Sequence, residues 1–380
     1  MALDKVSAAM MSPLSVSETA PSNPAVGQRW YRASTAVTYQ YTNDGTSRFW
    51  LDVSSGGIGT SAGRGVDFVG DIDPHKATNG SGLAVGSVYY NREKNRHFVC
   101  TDATSGANVW SGRYSGVGGV TNDYVVSGTY YRSHTFLSNG TFNVEDAMNV
   151  DYLVVAGGGG GAGGNSTPGG GGGAGGFKTA TSLALTAQAY IITVGAGGTS
   201  AGNAQGTNGG NSSIAAVIVA TGGGGGGRDN TAGTAGGSGG GGSHSGAGGA
   251  ASPAGQGNAG GAGLPSAQQV SGGGGGASAA GADGAGTTGG AGGAGTANYY
   301  RDGNTSGTTA GIHIFAGGGG GSYNSGGSVG AGGAGGGGIG IHNAAGGVGV
   351  TNSGSGGGGS GGSSAGGAGG AGIVVIRYAI

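Results

Sequence analysis

The chain has 380 residues, of which 106 are glycine and one is cysteine, and its formal net charge at pH 7 is −1. Near-neutrality implies neither nucleic acid nor an anionic membrane surface as a partner. The single Cys100 excludes a disulfide framework and a cysteine-based zinc site.

Residues 1–20 read as a short arm (Leu3-Asp4-Lys5-Val6-Ser7) that is too small to fold alone and is suited to docking on another subunit. This start lacks the basic-then-apolar order of a signal peptide. No apolar run approaches membrane-spanning length, so no membrane insertion is expected. From residue 21 to about 113 there is an internal repeat. Val26-Gly27-Gln28-Arg29-Trp30-Tyr31 reappears as Val85-Gly86-Ser87-Val88-Tyr89-Tyr90, Tyr39 matches Phe98, and Trp50 matches Trp110. Each copy predicts a β-meander of three strands, giving modules over 21–70 and 71–119, with a hairpin turn at Asn43-Asp44-Gly45 in the first.

Residues 120–380 are expected to form one β domain. Alternation over Ser133-His134-Thr135-Phe136-Leu137 and Thr141-Phe142-Asn143-Val144, around Ser138-Asn139-Gly140, predicts a half-buried hairpin. Further strands are predicted over 152–155, 188–194, 214–219 and 373–378. Long glycine tracts lie between them, including pure blocks at 157–161, 222–227, 272–276, 317–321, 335–338 and 356–359. By composition alone they read as a flexible linker. Three features favour a folded solid: almost no charge, apolar runs that enter pure glycine directly at 152–156, 216–221 and 312–316, and the closing run Ile373-Val374-Val375-Ile376. The folded alternative is polyglycine II, a three-per-turn helix without internal hydrogen bonds, whose backbone groups pair with neighbouring helices. Surrounded helices should then be pure glycine, while rim helices can carry a side chain at every third position, as in the Gly-Gly-Ala tracts at 289–294 and 366–371. The predicted fold class is therefore all-β plus polyglycine II: repeated small β-meander modules, then a jelly-roll-like domain with an inserted polyglycine II bundle.

No enzyme is expected. G-x-G-x-x-G is noise in this composition without a βαβ unit, and His97, His134, His244, His313 and His342 have no acidic partner at useful spacing. No cofactor and no metal site are expected. Binding is the better reading, because varied loops interrupt the glycine. The candidate receptor-binding residues are Arg228, Asp229, Asn230, Tyr299, Tyr300, Arg301, Asp302, Tyr323 and Asn324, types that combine stacking area with adaptable hydrogen bonding. The alternative for Tyr299 and Tyr300 is that they seal the edge of the bundle. If successive runs leave and return to the sheet, loops 165–168, 228–234, 251–256, 277–283, 322–328 and 350–355 lie at the far tip and the Tyr299 loop near the sheet.

Pro21, Pro24, Gly27, Trp30, Tyr31 and Trp50 resemble the short P-x-x-P…G-x-x-W-Y…W modules of bacteriophage tail fibres, and Asp4-Lys5-Val6-Ser7 resembles the start of many phage tail proteins. The strand-bracketed glycine half is similar to the glycine-rich, tumour-necrosis-factor-like region of the anaplastic lymphoma kinase receptor family. It also resembles the distal tail-fibre adhesins of T-even-like phages. These resemblances imply a virion protein that docks to other tail or fibre proteins through its N-terminal half. It would meet a host polysaccharide or outer-membrane protein through its loops, with a homotrimer as the family-based expectation. Two alternatives stay open: a head fibre or decoration protein without receptor contact, and a cellular matrix or cell-wall protein.

Overall fold

The computed structural model describes residues 14–17, 19–24, 28–32, 37–43, 48–52, 67–78, 82–93, 96–112, 115–164, 167–200, 202–267 and 269–380. The arm at 4–7, Val26-Gly27, the turn at 44–45, the side chain of Trp50, residues 165–166 and Gln268 fall outside them. The described residues are all-β, without helix. The chain divides into two compact units, Met1–Tyr114 with Ile380, and Ser115–Ala379.

The first unit holds two four-stranded sheets of the same order. One contains β1 (Leu14–Val16), β2 (Arg29–Arg32), β3 (Val37–Asn43) and β4 (Arg48–Asp52). The other contains β5 (Phe68–Gly70), β6 (Val88–Asn91), β7 (Arg96–Asp102) and β8 (Val109–Gly112). In each, the first pair is parallel and the rest antiparallel. The repeat seen in the sequence sits in equivalent register: Trp30 opposes Tyr39 and Trp50 opposes Tyr41, while Tyr89 opposes Phe98 and Trp110 opposes Cys100. The predicted meanders thus each gain a parallel strand in front. In the second sheet Tyr89, Phe98, Cys100 and Trp110 are buried together.

The strands of the second unit are β9 (Gly116–Val117), β10 (Val120–Val126), β11 (Thr129–Phe136), β12 (Gly140–Val144), β13 (Met148–Val155), β14 (Phe177–Leu185), β15 (Ala189–Thr193), β16 (Ser212–Ile214) and β17 (Ile218–Ala220). After long glycine passages come β18 (Thr296–Ala297), β19 (Ile314–Phe315), β20 (Ile341–His342), β21 (Ser360–Gly361) and β22 (Ile373–Ala379). Two five-stranded antiparallel sheets result, in the orders β10-β11-β22-β13-β14 and β17-β16-β15-β12-β9. The last strand of the chain is central in the first of these. Its β-branched residues have neighbours on both edges, as such a run requires.

The expected hairpin around Ser138-Asn139-Gly140 is a corner instead. β11 pairs with β10 and β22, whereas β12 pairs with β15 and β9, so the turn carries the chain from one sheet to the other. The aromatic residues decide it: Phe136 and Phe142 are both buried, with ring centroids 6.5 Å apart. The single strand expected over 214–219 is also corrected. It is the hairpin of β16 and β17, turning at Ala215, whose φ is +46°.

The two faces of the first sheet differ. On one, His134, Phe136 and Tyr378 meet the second sheet, and the His134 ring lies edge-on to Phe142 at 5.0 Å. On the other, Leu153, Val155, Ile373 and Val375 form an apolar cluster with Ala174, Phe315 and Ala316 from the ends of glycine tracts. That cluster joins sheet and glycine.

The glycine tracts are ordered by backbone hydrogen bonds with a period of three residues. In the tract 169–176, the N–H groups of Gly169, Gly172 and Gly175 donate to Ser360, Gly357 and Gly354. Those of Gly170, Gly173 and Gly176 donate to Gly227, Gly224 and Thr221, and those of Gly171 and Ala174 to Gly272 and Gly275. Its carbonyls accept from a further three tracts: from Ala162, Gly159 and Ala156, from Gly241 and Ser238, and from Gly319. This tract is therefore ringed by main chain on all sides and is buried throughout. Such closeness depends on the absent β-carbon. A Cβ on Gly173 would lie 2.3 Å from the Ser238 carbonyl oxygen, and one on Gly223 would lie 2.2 Å from that of Gly173. Ala174 is tolerated because its methyl joins the apolar cluster.

The sorting of tracts follows their composition. The blocks 157–161, 222–227, 272–276, 317–321 and 356–359 are buried at every residue, and only 335–338 is part-exposed. In Gly-Gly-Ala tracts the exposed positions include Ala291, Ala331, Ala334 and Ala368. Asparagine can replace a neighbouring main chain. The N–H groups of Gly222 and Gly225 donate to the side-chain oxygens of Asn211 and Asn208, which are themselves three residues apart.

His134 is 1 % exposed, its Nδ1 is 2.6 Å from the Gly118 carbonyl, and its Nε2 is 3.3 Å from the Tyr378 hydroxyl. Burial lowers its pKa to about 4, against the opposing pull of the Gly118 hydrogen bond.

Two outcomes follow for stability. Gly173→Ala should cost about 1–3 kcal/mol through overpacking and lower Tm by several degrees. Gly202→Ala, where a Cβ meets nothing within 4 Å, should leave Tm unchanged; differential scanning calorimetry of both variants checks this, and equal Tm values would contradict it. For His134, the unfolded chain takes up a proton as pH falls below about 6.5 while the folded chain does not until about 4. Stability should therefore fall between these values by about 3 kcal/mol and level off below them. Urea unfolding across that range should show this loss in the wild type and much less of it in His134→Gln.

Candidate functional site

The hydrogen-bond pattern gives every glycine passage a direction. One end of the array lies at the apolar cluster, and the other at Pro168-Gly169, where the Gly169 carbonyl accepts from the buried hydroxyls of Ser271 and Ser322 and that of Pro168 accepts from Ser243. Of the loops that parity places here, 322–328 belongs to this far end, and so do residues 228–231 of 228–234, while Gly233 and Thr234 already bond to other tracts in the returning passage. Loops 251–256, 277–283 and 350–355, predicted there as well, start from the sheet end. Gln256 accepts from Phe177 and Thr221, Ala277 donates to Ala316 and packs on the apolar cluster, and Ser353 accepts from Ala316. The passages are shorter than the parity count assumes, with additional far-end turns at 243–246, 264–267 and 285–288.

The nine candidate residues consequently separate into two groups. Arg228, Asp229, Asn230, Tyr323 and Asn324 are at the far end. The Arg228 guanidinium lies 3.0 Å from the Asp229 carboxylate and also donates to the Asn203 carbonyl. Thr167 donates to Asp229 at 3.0 Å, and the Asn230 side-chain oxygen is 2.5 Å from His244 Nδ1. Asp229 and Asn230 have φ of +49° and +68°, a left-handed turn that short polar side chains tolerate. Tyr323 stacks on His342 with centroids 4.6 Å apart, and Asn324 bonds Gln269 through both its backbone N–H and its amide. These side chains are part-exposed or exposed, yet each is held.

Tyr299, Tyr300, Arg301 and Asp302 are not with them. They lie on the outer face of the first sheet, where residues 296–316 cover β10, β11 and β22. The Tyr124 hydroxyl donates to the Tyr300 carbonyl at 2.6 Å, and Ser133 and Asn122 donate to that of Arg301. Burial pushes the Tyr124 phenol up to about 12, opposed by the hydrogen bond from Arg377. Asp302 is 2.9 Å from Nε2 of His313, whose ring is 8 % exposed, and Arg301 donates to the Gly311 carbonyl. All four residues are half-buried. Tyr300 packs on the apolar cluster, so it closes that edge of the core.

Three features escape the sequence reading. Arg377 sits between the rings of Tyr131 and Tyr300, 4.4 Å and 3.9 Å from their centroids, and is tied to Asp151 at 3.0 Å. The signal was available: in β22 it shares the parity of Ile373 and Val375 and so the face of the apolar cluster. Asn208 and Asn211 cap glycine N–H groups, and their three-residue spacing was likewise visible. The buried serines at the far end left no comparable signal. Among the described residues no group of three His, Cys, Asp or Glu side chains lies together as a metal site would need.

A search of curated proteins finds no match to the chain. A family model described as a glycine-rich domain matches residues 135–379, from β11 to the end of β22. The chain belongs to this glycine-rich domain family.

Proposed function

We propose that the glycine array is a bundle of polyglycine II helices inserted into a jelly-roll-like sandwich, and that the protein is a bacteriophage fibre adhesin. The three-residue hydrogen-bond period and the buried pure-glycine tracts support the first part. The W-Y modules of the first unit, which resemble those of tail fibres, support the second. In this reading the N-terminal half docks to other virion proteins, and the far-end loops meet a polysaccharide or outer-membrane protein of the host.

The observation that carries the proposal is the far end itself. Arg228, Asp229, Asn230, Tyr323 and Asn324 rise from a close-packed main-chain support and are fixed by their neighbours. A rigid scaffold with varied loops separates stability from recognition, and prepositioned side chains bind with little ordering cost. Weak contacts would be multiplied by the number of copies on a particle.

The purified 380-residue chain, preincubated with the bacteria that the parent particle infects, should reduce particle adsorption in a dose-dependent way, as competition for one receptor requires. The double variant Tyr323→Ala/Asn324→Ala should lose most of that effect while keeping the wild-type Tm. Undiminished adsorption in the presence of the chain would leave a structural virion component, such as a head fibre or decoration protein, as the reading.

A further inference from the structure

The segment 296–316 does not seal the outer face of the first sheet completely. Between it and the ends of β10, β14 and β22 lies an open cleft of about 370 Å³, lined by Tyr299, Tyr300, Asn298, Thr179, Thr305 and Arg377, among others. That volume falls within the range of small-molecule sites, about 300–1,000 Å³. The cleft is in the sheet-end half of the second unit and shares no residue with the far-end loops.

Its walls are built and held. Arg377 is fixed by four groups: Nε on Asp151, Nη1 on the Tyr124 hydroxyl, and the rings of Tyr131 and Tyr300 on its two sides. Asn298 is buried, donates to the Thr179 hydroxyl at 3.2 Å and accepts from the Tyr300 N–H at 3.0 Å. Tyr299 is half-buried, with its ring 6.1 Å from that of His313, and His313 is anchored by Asp302. A site whose side chains are already immobilised spends little binding energy on ordering them.

The chemistry of the lining selects the ligand class. Arg377 is the one ionic side chain among the lining residues, and its charge is balanced by Asp151. An anion would therefore gain little there. Tyrosine offers an apolar ring beside a hydroxyl. Beyond the bonds within the wall, Asn298 keeps a second amide hydrogen, and its oxygen and that of Thr179 keep a lone pair each. A neutral pyranose matches this mixture, because it presents an apolar C–H face on one side and a ring of hydroxyls at its edge. We propose that this cleft is a binding site for a single neutral hexopyranose unit. The proposal stands whether or not the chain is a fibre adhesin, since it uses none of the far-end loops.

The test uses the full chain with methyl α-D-glucopyranoside, methyl α-D-mannopyranoside and methyl β-D-galactopyranoside, and with methyl β-D-glucuronide as the anionic comparator. Saturation-transfer NMR should show at least one neutral glycoside bound. The amide resonances of Thr179, Asn298, Gly303 and Thr305 should shift on titration, a readout that needs no variant. Tyr299→Ala should weaken binding at least about tenfold, a loss typical of a stacking aromatic anchor, and Ile191→Ala, at an exposed position of β15 outside both sites, should leave it unchanged. The proposal is overturned if none of the three neutral glycosides binds, if only the glucuronide does, or if the shifted amides belong to the far-end loops.

Discussion

The second unit depends on main chains approaching one another to hydrogen-bonding distance on every side. Ordinary residues cannot do this, because a β-carbon holds neighbouring backbones apart. At Gly172, Gly173, Gly223 and Gly274 an added Cβ would lie between 2.0 and 2.3 Å from a carbonyl oxygen of another tract. Glycine pays for that closeness with the largest loss of backbone freedom of any residue. The return is a solid in which buried N–H and C=O groups find partners without a strand ladder. An unpaired buried group would cost more than a made bond contributes, so the array holds only as a whole.

The two five-stranded sheets supply what glycine lacks. Glycine has no side chain to bury, so where the tracts meet the first sheet the apolar contact is the cluster of Leu153, Val155, Ile373 and Val375 with Ala174, Phe315 and Ala316. β13 feeds the first passage directly and β22 receives the last, so the same two paired strands hold the chain where it enters the array and where it leaves it, both at the sheet end. The far end is closed differently, by buried serine hydroxyls on the Pro168 and Gly169 carbonyls. Polar closure there leaves arginine, asparagine, tyrosine and histidine side chains at the surface.

Much of this was legible in the sequence, for local reasons. Pure-glycine blocks mark buried tracts because any side chain would be excluded, and alanine at every third position marks a rim. The repeat around Trp30 and Tyr89 was readable because matching residues keep matching register. What failed depended on distant partners. The turn at 138–140 looks like a hairpin until Phe136 and Phe142 are seen to share one core between two sheets. The position of loops 251–256, 277–283 and 350–355 depends on how many reversals precede them, and glycine carries no mark of where it turns. Tyr299 to Asp302 look like binding residues by composition, yet parity puts their loop near the sheet, and Tyr124, Ser133 and Arg377 hold it there.

Amide hydrogen exchange, followed residue by residue in the native full-length chain, tests this dependence most directly. Gly159, Gly173, Gly224 and Gly274 should exchange as slowly as Val375 in the central strand, because their N–H groups are buried and bonded to other tracts. Gly202 and Gly326, in open surroundings, should exchange fast. Rapid exchange at all six glycines, with protection confined to the strands, would contradict the account.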